Sequence, residues 1–162
     1  MMKSKWNKIT IEDVRLTLAE DEIDRLNTLS TTEENLNKII DQTIEMVSSM
    51  IRGSLQSKGF QLDFREYYLP KEYYFFALII IRYQLWTRFP NSNKFALDDA
   101  RTKQYEEAMS MIKNPILGPS TPDYSDLPEE EKPKPIEDVA LINPKLKFDA
   151  FYGWKSILNK TE

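Results

Sequence analysis

Hydrophobic and polar residues occur in blocks along this chain, and the longest apolar block lies near its centre. Between Pro70 and Pro90 there is no glycine or proline, and every residue from 73 to 81 is apolar or aromatic. At about 100° per residue, such a run covers every face of a helix, so the helix must be covered on all sides. We therefore predict a central helix over residues 71–89, covered by other helices of the chain, by neighbouring subunits, or by both.

Two other structures could accommodate this block. A membrane span needs about 20 apolar residues, and Arg82 interrupts the run. A buried strand is favoured by the β-branched run Ile79-Ile80-Ile81. Buried strands usually have about 4–8 residues, so the length of the block favours the helix.

A long amphipathic helix is predicted upstream, over residues 33–55. Thr31 and Glu34 fit a capping box at its start, and its length would be about 35 Å. Its apolar residues recur every three or four positions, namely Leu36, Ile39, Ile40, Ile44, Val47, Met50, Ile51 and Leu55. The opposite face is interpreted as solvated, and it carries Asn35, Lys38, Asp41, Gln42, Glu45, Ser49 and Arg52. Gly53 either permits close packing against another backbone or helps the helix to end.

Shorter elements complete the predicted bundle. Thr10 and Asp13 fit the start of an N-terminal helical segment, which is predicted to form two short helices, or one bent helix, ending near Leu29. A further helix is predicted over residues 98–113, and four aromatic residues in 56–69 indicate an ordered connection between the two long helices. The fold class is therefore predicted to be all-α, a small helical bundle.

The composition changes after residue 114. Residues 114–143 contain six of the nine prolines and many acids, which favours an extended, partly polyproline II linker. An aromatic cluster follows and includes Phe148, Phe151, Tyr152 and Trp154. This arm either packs on its own domain or binds a neighbouring subunit or a partner. We therefore predict a helical domain over residues 1–114 and a linker with an aromatic arm over 115–162.

The net charge of −4 is unevenly distributed. Residues 123–138 contain seven acids and two lysines, a net −5, so the rest of the chain carries +1. The folded part is nearly neutral, and no strong basic face for nucleic acid is expected.

Candidate chemistry is sparse. The chain has no cysteine and no histidine, which excludes disulfides, thiol catalysis, imidazole triads and Cys or His metal sites. No glycine-rich phosphate loop or nucleophile motif is found, and no acidic loop has the spacing of a calcium site. We therefore predict no enzymatic activity, cofactor or metal. The polar first eight residues lack a secretory signal, so a cytosolic protein is expected.

The candidate interface residues come from the central helix and the arm. Arg82 either pairs with an acid or contacts another subunit, and Trp86 lies one helical turn further on. The full candidate set is Arg82, Trp86, Phe148, Phe151, Tyr152 and Trp154.

Several short motifs, in order, resemble the small phage head–tail connector proteins of Mu-like prophages and related tailed phages. They cover residues 10–114. The motifs are Ile11-Glu12-Asp13-Val14 with Ile23 and Leu26, then Ile51-Arg52-Gly53-Ser54-Leu55, Tyr68-Leu69-Pro70, Ile81-Arg82-Tyr83-Gln84-Leu85, and Tyr105-Glu106-Glu107-Ala108 with Ile112. Ile81 departs from the pattern, because a small residue is common there. The long arm exceeds the usual tail, so nothing is carried over from Pro115 onward.

This resemblance implies a small non-enzymatic helical protein that assembles into a ring beneath the portal. The ring would extend the DNA channel, with DNA only as non-specific cargo, and would bind portal and tail-completion proteins but no membrane. The free protein can be a monomer. It would lie in the cytoplasm of the bacterial host and then at the head–tail junction of the virion. The alternative is a small helical DNA-binding or regulatory protein, which requires a basic recognition helix; a third possibility is an enzyme.

Overall fold

The structure is a computed structural model that describes residues 2–89, 99–114 and 120–133. The chain divides into two compact units, Met1–Asp126 and Leu127–Glu162. All the described helices and strands belong to the first unit. In the second unit, the described residues contain a turn in which the Glu131 N–H donates to the Pro128 carbonyl oxygen at 3.0 Å.

The described part of the chain is mainly helical, which confirms the predicted small helical bundle. Its helices, in chain order, are α1 (Ile11–Thr17), α2 (Glu20–Ser30), α3 (Glu33–Ser57), α4 (Lys71–Thr87) and α5 (Asp99–Lys113). They correspond to the two short N-terminal helices, the long amphipathic helix, the central apolar helix and the last helix expected from the sequence.

The start of α1 is fixed by the predicted pair of residues. The Thr10 N–H donates to Asp13 Oδ2 at 2.8 Å, and the Asp13 N–H donates to Thr10 Oγ1 at 3.2 Å. Each side chain thus satisfies a backbone N–H of the other residue, which is the reciprocal arrangement of a capping box.

The predicted cap of α3 is wrong by one residue. Thr32, not Thr31, caps this helix, and its Oγ1 accepts from the Asn35 N–H at 3.2 Å. Thr31 follows α2 directly and has a φ of 75°, in the left-handed region where the chain reverses. The first residue with the extended backbone that a cap requires is therefore Thr32.

Four short strands among the described residues were not predicted from the sequence. They are β1 (Met2–Ser4), β2 (Trp6–Lys8), β3 (Tyr68–Pro70) and β4 (Ser120–Pro122). β1 pairs in parallel with β4, and β2 pairs antiparallel with β3. The N-terminal segment therefore pairs through β2 with the residues just before α4. Through β1 it pairs with residues 120–122 of the predicted linker.

The core lies mainly between α3 and α4, with contributions from every other helix. α3 buries the apolar face that its periodicity predicts, including Ile40, Ile44, Val47, Ile51 and Leu55, each no more than 1% exposed. Full burial of a side chain of this size stabilises the fold by about 1.5–3 kcal/mol. α1 and α2 add Val14 and Leu26, and α5 adds Ala108 and Ile112.

Most of α4 is covered by the chain's own elements, but one strip is not. The buried residues of α4 are Tyr73, Ala77, Leu78, Ile80, Ile81, Leu85 and Trp86. Phe75 is 67% exposed, and Phe76 and Ile79 are only partly buried. α1, α3 and α5 all contact this helix, yet they leave these apolar side chains partly in water.

Candidate functional site

One buried carboxylate joins three helices of the bundle. Glu22, in the first turn of α2, is 3% exposed. Its Oε2 accepts from Arg82 of α4 at 2.6 Å and from the Ala19 N–H at 2.9 Å. Its Oε1 accepts from the Trp86 indole N–H at 3.1 Å and lies 2.9 Å from a guanidinium nitrogen of Arg101 in α5. We call these four side chains, Glu22, Arg82, Trp86 and Arg101, the Glu22 cluster.

The surroundings of Glu22 keep it ionised. Burial raises the pKa of this carboxyl, but the Ala19 N–H and the charges of Arg82 and Arg101 outweigh burial. The pKa of Glu22 therefore lies below its ordinary value. Both of its oxygens are occupied by donors, so Glu22 is unsuited to act as a general base. Its role is to hold α2, α4 and α5 together.

Both interface candidates of the central helix belong to this cluster. Arg82 pairs with an acid, which is one of the two roles weighed for it, and Trp86 is 1% exposed. Glu22 and Arg101 were not singled out from the sequence. One signal could have indicated Glu22, because it lies four residues before the buried Leu26 and therefore on the inner face of α2.

The other four interface candidates belong to the arm. Phe148, Phe151, Tyr152 and Trp154 lie outside the described residues.

A second cluster orders the connection between α3 and α4. The Arg52 guanidinium donates to the backbone carbonyls of Asp63 at 2.7 Å, Tyr68 at 2.8 Å and Arg65 at 3.1 Å. It also lies 5.8 Å from the centroid of the Trp6 ring. One side chain thus anchors this connection at three points, which confirms that the connection is ordered.

The interpretation of Arg52 as part of a solvated polar face is therefore wrong. The connection crosses this part of α3, and its carbonyl oxygens replace water around the guanidinium. Gly53, the next residue, is exposed, and a Cβ placed there would have no neighbouring heavy atom within 4 Å. Because α3 continues to Ser57, Gly53 neither ends the helix nor packs closely against another element of the described chain.

A groove between α4 and α5 has a mainly apolar lining and a volume of about 560 Å³. We call it the α4–α5 groove; its lining residues are Thr17, Phe75, Phe76, Leu78, Ile79, Arg82, Gln104, Glu107 and Ala108. Apolar side chains dominate this lining, and it includes the uncovered strip of α4. Such a groove fits apolar side chains of a partner better than a polar substrate.

Comparison with known proteins gives no significant match to any family model, curated protein or solved structure. Within the described residues, no helix combines the length and the apolar character that crossing a membrane requires. The same residues contain no group of three or more acidic side chains arranged to hold a metal ion.

Proposed function

We propose that this chain is a structural assembly protein, a phage head–tail connector that forms a ring between portal and tail. In such a ring, one face of each subunit meets a different face of the next. Portal and tail-completion proteins bind at its ends, and DNA passes through as non-specific cargo. The protein is cytoplasmic in the host before assembly and part of the virion afterwards.

The α4–α5 groove is the observation that carries this proposal. Phe75 is two-thirds exposed in the middle of an apolar run, next to the partly buried Phe76 and Ile79. An apolar strip beside a groove supports a role in protein association. A neighbouring subunit would remove these side chains from water, which supports an assembling protein rather than an isolated one.

The positions of the connector-like motifs also support the proposal. Ile51, Leu55, Leu69, Leu85 and Ile112 come from four of these motifs, and each is no more than 2% exposed. They are packing positions of one helical bundle, as the resemblance implies. Arg82 lies in the Ile81–Leu85 motif and pairs with Glu22, the residue before Ile23 of the first motif. This ion pair therefore connects two of the motifs.

Purified particles provide the test. The chain would be epitope-tagged in its bacterial host, the prophage would be induced, and particles would be purified and analysed by mass spectrometry. We expect several copies of the chain per particle, located by tag labelling at the head–tail junction. Tagged chain that remains entirely in the cell extract while complete particles are released would contradict the proposal. A sequence-specific gel shift by the free chain would favour the DNA-binding alternative.

A further inference from the structure

The α4–α5 groove is lined by two charged side chains, Arg82 and Glu107, as well as by apolar ones. Arg82 is already paired with Glu22. Glu107, on the α5 side, has no ion pair among the described residues. The groove therefore combines the exposed Phe75 ring and the partly buried Phe76 with Glu107 on one side and Arg82, which shares Glu22 with Arg101, on the other. This lining suits an apolar segment with charged side chains beside it.

The C-terminal segment of this chain has that chemistry. Residues 146–158, which lie outside the described residues, include eight apolar or aromatic side chains, Leu146, Phe148, Ala150, Phe151, Tyr152, Trp154, Ile157 and Leu158. Residues 144–162 contain four lysines against one aspartate and one glutamate, a net charge of +2. The segment thus complements the groove in apolar character, and its lysines are potential partners for Glu107.

The chain between the last described residue and this segment is long enough to reach another subunit. Twelve residues, 134–145, lie between positions 133 and 146, and this tether spans at most about 45 Å when extended. A compact unit the size of Met1–Asp126 has a radius of gyration of about 14 Å. Adjacent subunits in contact therefore lie within reach. Pro133 and Pro135 favour an extended start to this tether.

We propose that residues 146–158 of one copy dock in the α4–α5 groove of a neighbouring copy. The inference rests on the proposed ring-forming function and identifies what covers the exposed strip of α4. Each subunit then gives one segment and receives another, which is the head-to-tail connection that closes a ring.

Cross-linking of two full-length variants tests this docking, because the chain has no cysteine of its own. One variant carries Gln104→Cys, at an exposed position of the groove rim, and the other carries Ala150→Cys. The two are mixed and treated with a short bis-maleimide. The matched control replaces the first variant by Glu45→Cys, at an exposed position on α3. We expect at least tenfold more cross-linked pair with Gln104→Cys than with Glu45→Cys.

Native mass spectrometry of the same samples separates the two proposals. A closed ring without the Gln104 to Ala150 cross-link would overturn the docking and leave the connector function standing. A selective cross-link without a closed ring would support the docking and count against the connector function. A chain carrying both substitutions provides the last control: cross-linking only within single chains, undiminished by dilution, would overturn docking on a neighbour.

Discussion

Replacing Glu22 with glutamine removes the one negative charge shared by α2, α4 and α5. In the Glu22→Gln variant the side chain keeps its shape, but an amide NH₂ now faces the guanidinium groups of Arg82 or Arg101. Two positive groups lose the carboxylate that lies 2.6 and 2.9 Å from them. The bundle should therefore be destabilised at its centre, and not only at the end of α2.

The size of the effect follows from the burial of the partners. Removing one partner of a buried ion pair typically costs about 3–5 kcal/mol. The side chains of Arg82 and Arg101 remain 30% exposed, so water screens part of the loss. We expect the free energy of unfolding to fall by about 2–4 kcal/mol. That is a large share of the roughly 5–15 kcal/mol of a typical domain.

Urea unfolding followed by circular dichroism measures this difference, provided that the slope of the transition is unchanged. Glu33→Gln is the matched control, because Glu33 also pairs with an arginine, Arg15, at 2.8 Å, but is 65% exposed. Loss of such a surface pair should cost no more than about 1 kcal/mol. Equal effects of the two substitutions would refute a structural role for the Glu22 cluster.

The pH dependence gives a second readout of the same carboxylate. The pKa of Glu22 is lower in the folded protein than its ordinary value. Its contribution to stability is therefore fully present above the unfolded pKa, near 4.3, and is lost as the pH falls through the folded pKa. The stability difference between the wild type and Glu22→Gln should be constant near neutral pH and shrink on acidification. A difference that grows on acidification would contradict the assigned shift.

Three further substitutions test other parts of the structure. Gly53→Ala should raise the free energy of unfolding by about 0.5–1 kcal/mol in thermal or urea unfolding, because an exposed helical position gains a Cβ in open space; destabilisation would reveal an unrecognised close contact. Arg52→Met should increase hydrogen exchange of the amides in residues 60–68, because three carbonyls lose their donor, whereas Lys38→Met on the exposed face should leave that exchange unchanged. Phe75→Ser should leave the stability of the monomer within about 0.5 kcal/mol, since the ring is largely exposed; a larger loss would show that Phe75 belongs to the core.

The periodic part of the fold could be predicted from the sequence, because helices depend on local spacing. α3 and α4 have strong local signals, a three-and-four repeat in one and an unbroken apolar run in the other. The sequence places the cap of α3 one residue early, at Thr31 instead of Thr32. The two threonines are adjacent, and the positive φ of Thr31, which excludes it as the cap, cannot be recognised from the sequence.

The strands and the Glu22 cluster depend on contacts between distant residues. β1 has three residues and pairs with β4 more than a hundred residues later, so neither strand has a periodic signal of its own. Glu22 resembles an ordinary acid at a helix start. Its partner Arg82 lies sixty residues further along the chain, so local sequence does not indicate that Glu22 is buried. The periodicity of α3 places Arg52 on its polar face, because spacing within one helix does not show that the following connection folds back over that face.

The central claim is that the exposed strip of α4 is covered by another subunit, and native mass spectrometry of the wild type and Phe75→Ser tests it most directly. Burying the remaining two-thirds of the ring should contribute about 1–2 kcal/mol to each contact. We predict a closed oligomer of the wild type as concentration rises from micromolar to millimolar, and a transition shifted to about 5–30-fold higher concentration by Phe75→Ser. A wild-type chain that stays monomeric over this range, or an oligomer that Phe75→Ser leaves unchanged, would contradict the claim.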